Sequence, residues 1–311
     1  MAIRECTPSD FPKLVEFWNS NAGWDEIDLD TWKNRFISSP DGNSFVVIAE
    51  KEGEIQAQLI FISLRVSYRK EYFSGCRPFA AVIGKKNRGL LAYKFILQLF
   101  NFGIQLMRKK SFDFLIMIPD PRWKSLAHLV DTQVFKFPLY KLEVSDDSNF
   151  NETGNQIRFI DFDHRQIDTL WEEISGQEIF MINRSKEFLK WKNSHRDYKI
   201  IGVFQGDLLI GLCTFLEKER ESQILICDLM YRHEFTEQVI QGITDFIGNM
   251  YKNDSRFKKI VCLMTESMKS AFSNSGYAYG DYDFYFWVKI LNPKIKKESI
   301  EISNWYLSAN D

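Results

Sequence analysis

The stretch Asp30-Thr31-Trp32-Lys33-Asn34 leads into an apolar run (Phe45-Val46-Val47-Ile48-Ala49), a glycine turn (Gly53-Glu54-Ile55) and a second run (Leu59-Ile60-Phe61-Ile62). The same order returns in the second half of the chain. There Leu189-Lys190-Trp191-Lys192-Asn193 precedes Tyr198-Lys199-Ile200-Ile201-Gly202-Val203-Phe204, a turn at Gly206-Asp207-Leu208, and Leu209-Ile210-Gly211-Leu212. A helix end followed by a hairpin, repeated once at a long interval, predicts two copies of one α/β unit rather than a short-period solenoid.

The 311 residues suit two domains of about 150 residues each better than one core. With 45% hydrophobic and 26% charged residues, the composition is that of a soluble globular protein. A net charge of -2 provides no basic footprint for nucleic acid. The lysine pairs Lys85-Lys86, Lys109-Lys110 and Lys296-Lys297 are too short to make one. The start Met1-Ala2-Ile3-Arg4-Glu5-Cys6 lacks the apolar stretch of a secretory leader and no stretch reaches the roughly 20 apolar residues of a membrane span, so neither is expected. Residues 90–107 come nearest, interrupted by Lys94, Gln98, Asn101 and Gln105. The five cysteines, at 6, 76, 213, 227 and 262, form no CxxC pair, and the four histidines are isolated. This pattern predicts reduced thiols, a cytoplasmic location and no metal site.

The first unit is expected to span residues 1–145. A strand at Ile3-Arg4-Glu5 meets the turn Thr7-Pro8-Ser9-Asp10, which can cap a helix through Leu14, Val15, Phe17 and Trp18. A helix near 29–37 and a hairpin near 44–66 follow. The strand Cys76-Arg77-Pro78-Phe79-Ala80-Ala81-Val82-Ile83 runs into Gly84-Lys85-Lys86-Asn87-Arg88-Gly89 and a long helix, apolar on nearly every face. A buried strand at 112–118, a short helix and a final hairpin at about 132–144 close the unit. After a polar linker near 145–155, the second unit (156–291) repeats the order, and a tail (292–311) is charged, then aromatic, placed to dock or to fray.

A strand feeding a glycine-containing loop and then a helix makes a phosphate cradle. First-turn amides have no partner in the helix, and its positive dipole end faces the anion. Val82-Ile83-Gly84-Lys85-Lys86-Asn87-Arg88-Gly89-Leu90-Leu91 has that layout. The alternative for the same residues is a capped helix with a basic start.

In this context the chain resembles the GNAT family of acyl-CoA N-acyltransferases, in tandem. The resemblance rests on Thr7-Pro8-Ser9-Asp10 at the first strand-to-helix turn, Glu52-Gly53-Glu54-Ile55-Gln56-Ala57 in the hairpin, and Arg88-Gly89 before the apolar helix. It implies an α/β (α+β) fold: two domains, each a mixed, mostly antiparallel sheet flanked by helices. It also implies acetyl-CoA as co-substrate and direct attack of a small amine, of amino-sugar or amino-acid type, on the thioester. By the resemblance, Ala81, Val82 and Ile83 would hold the pantetheine, and Lys86, Asn87, Arg88, Gly89, Leu90 and Leu91 the diphosphate. Asp120 stands where the family has an Asn, and His128 falls near its proton-donating Tyr; Tyr140 and Tyr93 are further candidates for that role.

The loop departs from the family pattern, with Lys86 at its first position and Leu91 at its last. The second copy has no such loop: Tyr231-Arg232-His233-Glu234-Phe235 would set a carboxylate beside any phosphate, so this copy is expected to bind no CoA. Cys76 reads as a nucleophile or a buried thiol, and Asp228, on a predicted strand, as a groove residue or a partner of Arg232. Two alternatives to the transferase stay open: a catalytically silent tandem fold that binds a ligand or partner, and an aminoacyl transferase resembling the Fem family. The second would need charged tRNA, which the charge balance disfavours.

Overall fold

The structure, a computed structural model, describes residues 1–119, 123, 127, 132–152, 156–280, 284–296 and 301–311. The chain forms two compact units. One comprises residues 1–66, 72–135 and 285–299, and the other 67–71, 136–284 and 300–311.

In the first unit β1 (Ala2–Glu5) is followed by α1 (Phe11–Asn21) and α2 (Leu29–Phe36). Next come β2 (Phe45–Lys51), β3 (Glu54–Tyr68), β4 (Glu71–Ile83), α3 (Leu90–Lys109) and β5 (Phe114–Met117). The expected turn at the first helix is built as a capping box. Asp10 accepts from the Thr7 N–H at 2.7 Å, and the Arg4 guanidinium grips the same carboxylate at 2.7 and 2.9 Å. Asp28 caps α2 by accepting from the Thr31 N–H at 2.8 Å. β1 with β2 and β2 with β3 are antiparallel, whereas β4 and β5 are parallel. The apolar side of α3 (Leu99, Phe100, Ile104, Met107) packs into a core with Phe45, Val47, Leu59 and Phe61.

The second unit repeats this order. It runs β8 (Ile157–Phe159), α4 (Ile167–Ile174), a short β9 (Phe180–Ile182), α5 (Lys186–Asn193), β10 (Lys199–Gln205), β11 (Leu208–Lys218), β12 (Gln223–Tyr231), α6 (Thr236–Tyr251), β13 (Lys259–Leu263) and α7 (Lys269–Asn274). β12 and β13 are again the parallel pair among antiparallel neighbours. The doubling read from the sequence is present, but the two tryptophans that announced it are not equivalent. Trp32 is the fourth residue of α2 and fully buried; Trp191 is the sixth of α5 and only partly so. In α5 the buried face is Phe188, Leu189, Lys192 and Asn193.

The final strands also depart from expectation. β6 (Gln133–Phe137) and β7 (Leu139–Glu143) do not form a hairpin with each other. Only Pro138 separates them, and reversal into a hairpin takes at least two loop residues. β7 instead pairs antiparallel with β13, Tyr140 opposite Cys262, and with β14 (Ala278–Tyr279) on its other edge. In return β15 (Phe284–Ile290) pairs antiparallel with β5, Trp287 opposite Met117. The strand order is therefore β1-β2-β3-β4-β5-β15-β6 in one sheet and β14-β7-β13-β12-β11-β10-β8 in the other. The units interleave along the chain rather than following the expected division at 1–145 and 156–291. The tail is divided as well, and its residues 305–311 are docked: Trp305 and Leu307 are fully buried.

Two stability predictions follow from this packing. A Cβ on Gly103 of α3 would lie 2.0 Å from the Phe61 ring, and that ring is held in a stack on Phe45 at 4.8 Å. Gly103→Ala is expected to cost about 1–3 kcal/mol of overpacking despite alanine's helix preference, seen as a lower urea midpoint at unchanged slope. In the second unit, burial raises the affinity of Asp311 for its proton, but the neighbouring Arg184 and Lys192 charges outweigh this and hold the carboxyl below its ordinary value. A depressed carboxyl stabilises the fold above the unfolded carboxylate range and loses that contribution as pH falls through the folded value. The urea midpoint should therefore fall below about pH 4, and more shallowly in Asp311→Asn, which starts from a lower plateau.

Candidate functional site

β4 and β5 stay in register only at Gly75–Phe114 and Cys76–Leu115. β4 then continues to Ile83, and among the described residues no other strand joins it on that side. Parallel strands that part in this way leave main-chain groups facing the gap. Ala80 lies within that stretch with φ at +53°, a left-handed value that costs a non-glycine residue about 1–3 kcal/mol. It marks an irregularity in the strand. Ala81 is partly exposed, while Val82 and Ile83 are buried.

The loop that follows is tied down by residues the sequence did not single out. Gly84 donates its N–H to the Gln56 carbonyl at 2.9 Å, and Lys85 donates to the Asn21 side chain at 3.0 Å. The Asn87 side chain is held by Gln56 at 2.9 Å, and the Arg88 guanidinium turns back to the carbonyls of Ile83 and Asn21. Asn87 and Arg88 thus shape the loop with their side chains. Only their polarity and their place after a glycine turn and a helix end, respectively, hinted at Gln56 and Asn21.

These tethers present the start of α3. Gly89 precedes it with φ at +96° and ψ at -143°, a conformation open only to glycine, and no side chain caps the helix. Among the described residues, none lies within 4 Å of a Cβ at Gly89. The N–H groups of Arg88 and Gly89 donate to no described protein acceptor, and those of Leu90 and Leu91 occupy first-turn positions that have none in the helix. The first turn of α3 carries no acidic residue, while Lys85, Lys86 and Arg88 are exposed just before it. Helix dipole and side-chain charge therefore add up to a positive potential over free donors. A diphosphate fits that chemistry.

The start of α6 has the opposite character. Glu234 lies in the short turn before it and Glu237 in its first turn, and Arg232 is drawn away into an ion pair with Glu173 at 2.8 Å.

Of the predicted proton-transfer residues, Asp120 and His128 lie outside the described residues. Tyr140 belongs to β7 in the second unit's sheet. It is stacked on Phe272 at 4.9 Å and almost fully buried, and burial pushes its hydroxyl up. Tyr140 is therefore a core residue of the second unit. Tyr93 is exposed on α3. Cys76 is fully buried and burial raises its thiol well above the ordinary value, which rules out a ready thiolate. Asp228 pairs with Lys192 at 2.8 Å rather than with Arg232. Among the described residues no helix is long and apolar enough to cross a membrane.

No family model and no curated protein sequence matches the chain. Solved structures do. A conserved protein of unknown function from Enterococcus faecalis V583, described as a probable N-acyltransferase, superposes with a TM-score of 0.71 at 9% identity, over 93% of this chain and 72% of that one. A GCN5-related N-acetyltransferase from Anabaena variabilis gives 0.67 at 12% identity, over 94% and 73%. A tandem GNAT protein from the clavulanic acid biosynthesis pathway gives 0.58 at 9% identity, over 94% of this chain and 99% of that chain. By these superpositions the chain has the GNAT acyltransferase fold, in tandem.

Proposed function

We propose that the protein is an acyl-CoA-dependent N-acyltransferase whose first unit holds the cofactor, with acetyl-CoA as donor and a small amine as acceptor. The observation that carries this reading is the uncapped start of α3, with Gly89 in a glycine-only conformation and, among the described residues, no side chain over it and no acceptor for the N–H groups of Arg88 and Gly89. The diphosphate sits on the amides from Arg88 to Leu91, with Lys86 beside it. The pantetheine extends along Ala81, Val82 and Ile83, where β4 has left β5. GNAT-fold neighbours described as N-acetyltransferases and as a probable N-acyltransferase support the same class.

In the reaction the amine nitrogen attacks the thioester carbon, the C–S bond breaks, and the sulfur leaves as a thiol once protonated. A main-chain N–H in the parted stretch of β4 polarises the carbonyl, and the fixed geometry supplies much of the rate. Asp120 and His128 are proposed for the two proton transfers, Asp120 as base to the amine and His128 as acid to the leaving sulfur, a role suited to an imidazole because an unperturbed one titrates near neutral. All five cysteines are unbonded, which supports a reducing, cytoplasmic setting.

Calorimetry with acetyl-CoA tests this directly. Saturable binding is expected, weakened at least tenfold, or about 1.4 kcal/mol, by Arg88→Glu and again by Gly89→Asp. A chain that binds no CoA at millimolar concentration is not a transferase. His128→Ala should lower kcat with little change in CoA affinity; an unaltered kcat removes the residue from the mechanism.

A further inference from the structure

The second unit contains the same parted pair, and it is filled. β12 and β13 hold register from Gln223–Lys259 to Ile226–Cys262, after which β12 runs on to Tyr231. On its other side the pairing with β11 slips between Ile226 and Asp228, leaving Cys227 as a bulge. The outward carbonyl of that bulge accepts the Asn310 N–H at 3.1 Å, and the Leu229 carbonyl accepts the Tyr306 hydroxyl at 2.8 Å. Beyond the end of β13, Met264 bridges antiparallel to Ser308. Trp305 and Tyr306 (β16) pair parallel with Phe180 and Met181 of β9. Segment 305–311 therefore takes up main-chain groups that a parted pair otherwise leaves unfilled.

Buried charges fasten it. Asp311 meets Arg184, which is fully buried, and lies 3.4 Å from Lys192; Lys192 also reaches Asp228 at 2.8 Å. Ser308 donates to Asp228 at 3.2 Å and through its N–H to Asp311 at 2.7 Å. Two cations and two anions balance. Removing Asp311 from this set would strand a cation in the interior, which is strongly unfavourable. A pantetheine arm is neutral and offers no carboxylate in exchange. What stays open beyond Tyr306 is a cavity of 340 Å³ bordered by Tyr231, His233, Thr236 and Glu237, whose carboxylate stands where a diphosphate would need donors.

We infer that the wedge between β12 and β13 is a strand-binding site whose resident is the chain's own segment 305–311, latched by Arg184 and Lys192, so that each chain carries a single acyl-CoA site. The count of one rests on the function proposed above; the latch does not.

The experiment uses the full-length chain, titrated with CoA while hydrogen exchange is followed at the amides of 307–311. One CoA per chain, lost in Gly89→Asp, with those amides exchanging only at the slow rate of the second unit's core and unaffected by CoA, supports the inference. Two CoA per chain, or faster exchange at 307–311 when CoA is added, overturns it. No CoA binding with these amides still protected sinks the proposed function and leaves the latch standing; no binding with rapid exchange sinks both. Asp311→Asn should speed exchange at 307–311 at least tenfold without changing CoA affinity, and unchanged exchange there removes the charge latch. If that variant fails to fold, the wild-type and Gly89→Asp measurements decide.

Discussion

A pair of parallel strands that separates inside a sheet creates an obligation, because buried main-chain donors and acceptors have to be matched by something. Both halves of this protein contain such a pair. β4 leaves β5 after Cys76, and β12 leaves β13 after Ile226. The surrounding architecture serves to hold these separations open: Ala80 and the bulged Cys227 break the strand geometry, and a long helix begins a few residues beyond each. The two halves meet the obligation by different means. One ends in free amides under a basic loop; the other is closed by seven residues of its own chain.

Electrostatics follows the same division. The loop before α3 has lysines and an arginine and no acid, whereas α6 opens with Glu234 and Glu237. The buried quartet of Arg184, Lys192, Asp228 and Asp311 is costly to desolvate, and replacing it with well-packed apolar groups would cost the fold little. Its effect is on which segment occupies the wedge. A hydrophobic strand of any sequence can fill an apolar gap, but a carboxylate at the right depth is needed to neutralise Arg184 and Lys192 together.

Much of this was legible from residue order. The hairpins around Gly53 and Gly206, the capped entry at Thr7–Asp10 and the apolar helix after Gly89 follow from local chemistry, and the structure contains each. Features set by distant partners were not legible. The Trp-Lys-Asn repeat signalled duplication, yet α5 is turned so that Lys192 and Asn193 face inward, where Asp228 pairs with Lys192 and the Asn310 side chain donates to Asn193. Nothing in Leu139-Tyr140-Lys141-Leu142 says which of two sheets it will join. Only Pro138, too short a link for a reversal, argued against the hairpin. The roles of Gln56 and Asn21 depend on a loop that comes to them from more than 25 residues away.

The traded strands also bear on how the chain comes to be folded. Phe114 waits for Ile290 and Glu143 for Lys259, so each sheet has an unfinished edge until a remote part of the polypeptide arrives. Contacts of such long sequence separation form late and slowly. While the ribosome is still making residues beyond β5, the bare edge of that strand is open to foreign strands, a period in which a chaperone would be useful. The duplicated halves are thereby bound to a common fate: neither can be cut away, lost or replaced by recombination without leaving the other a strand short.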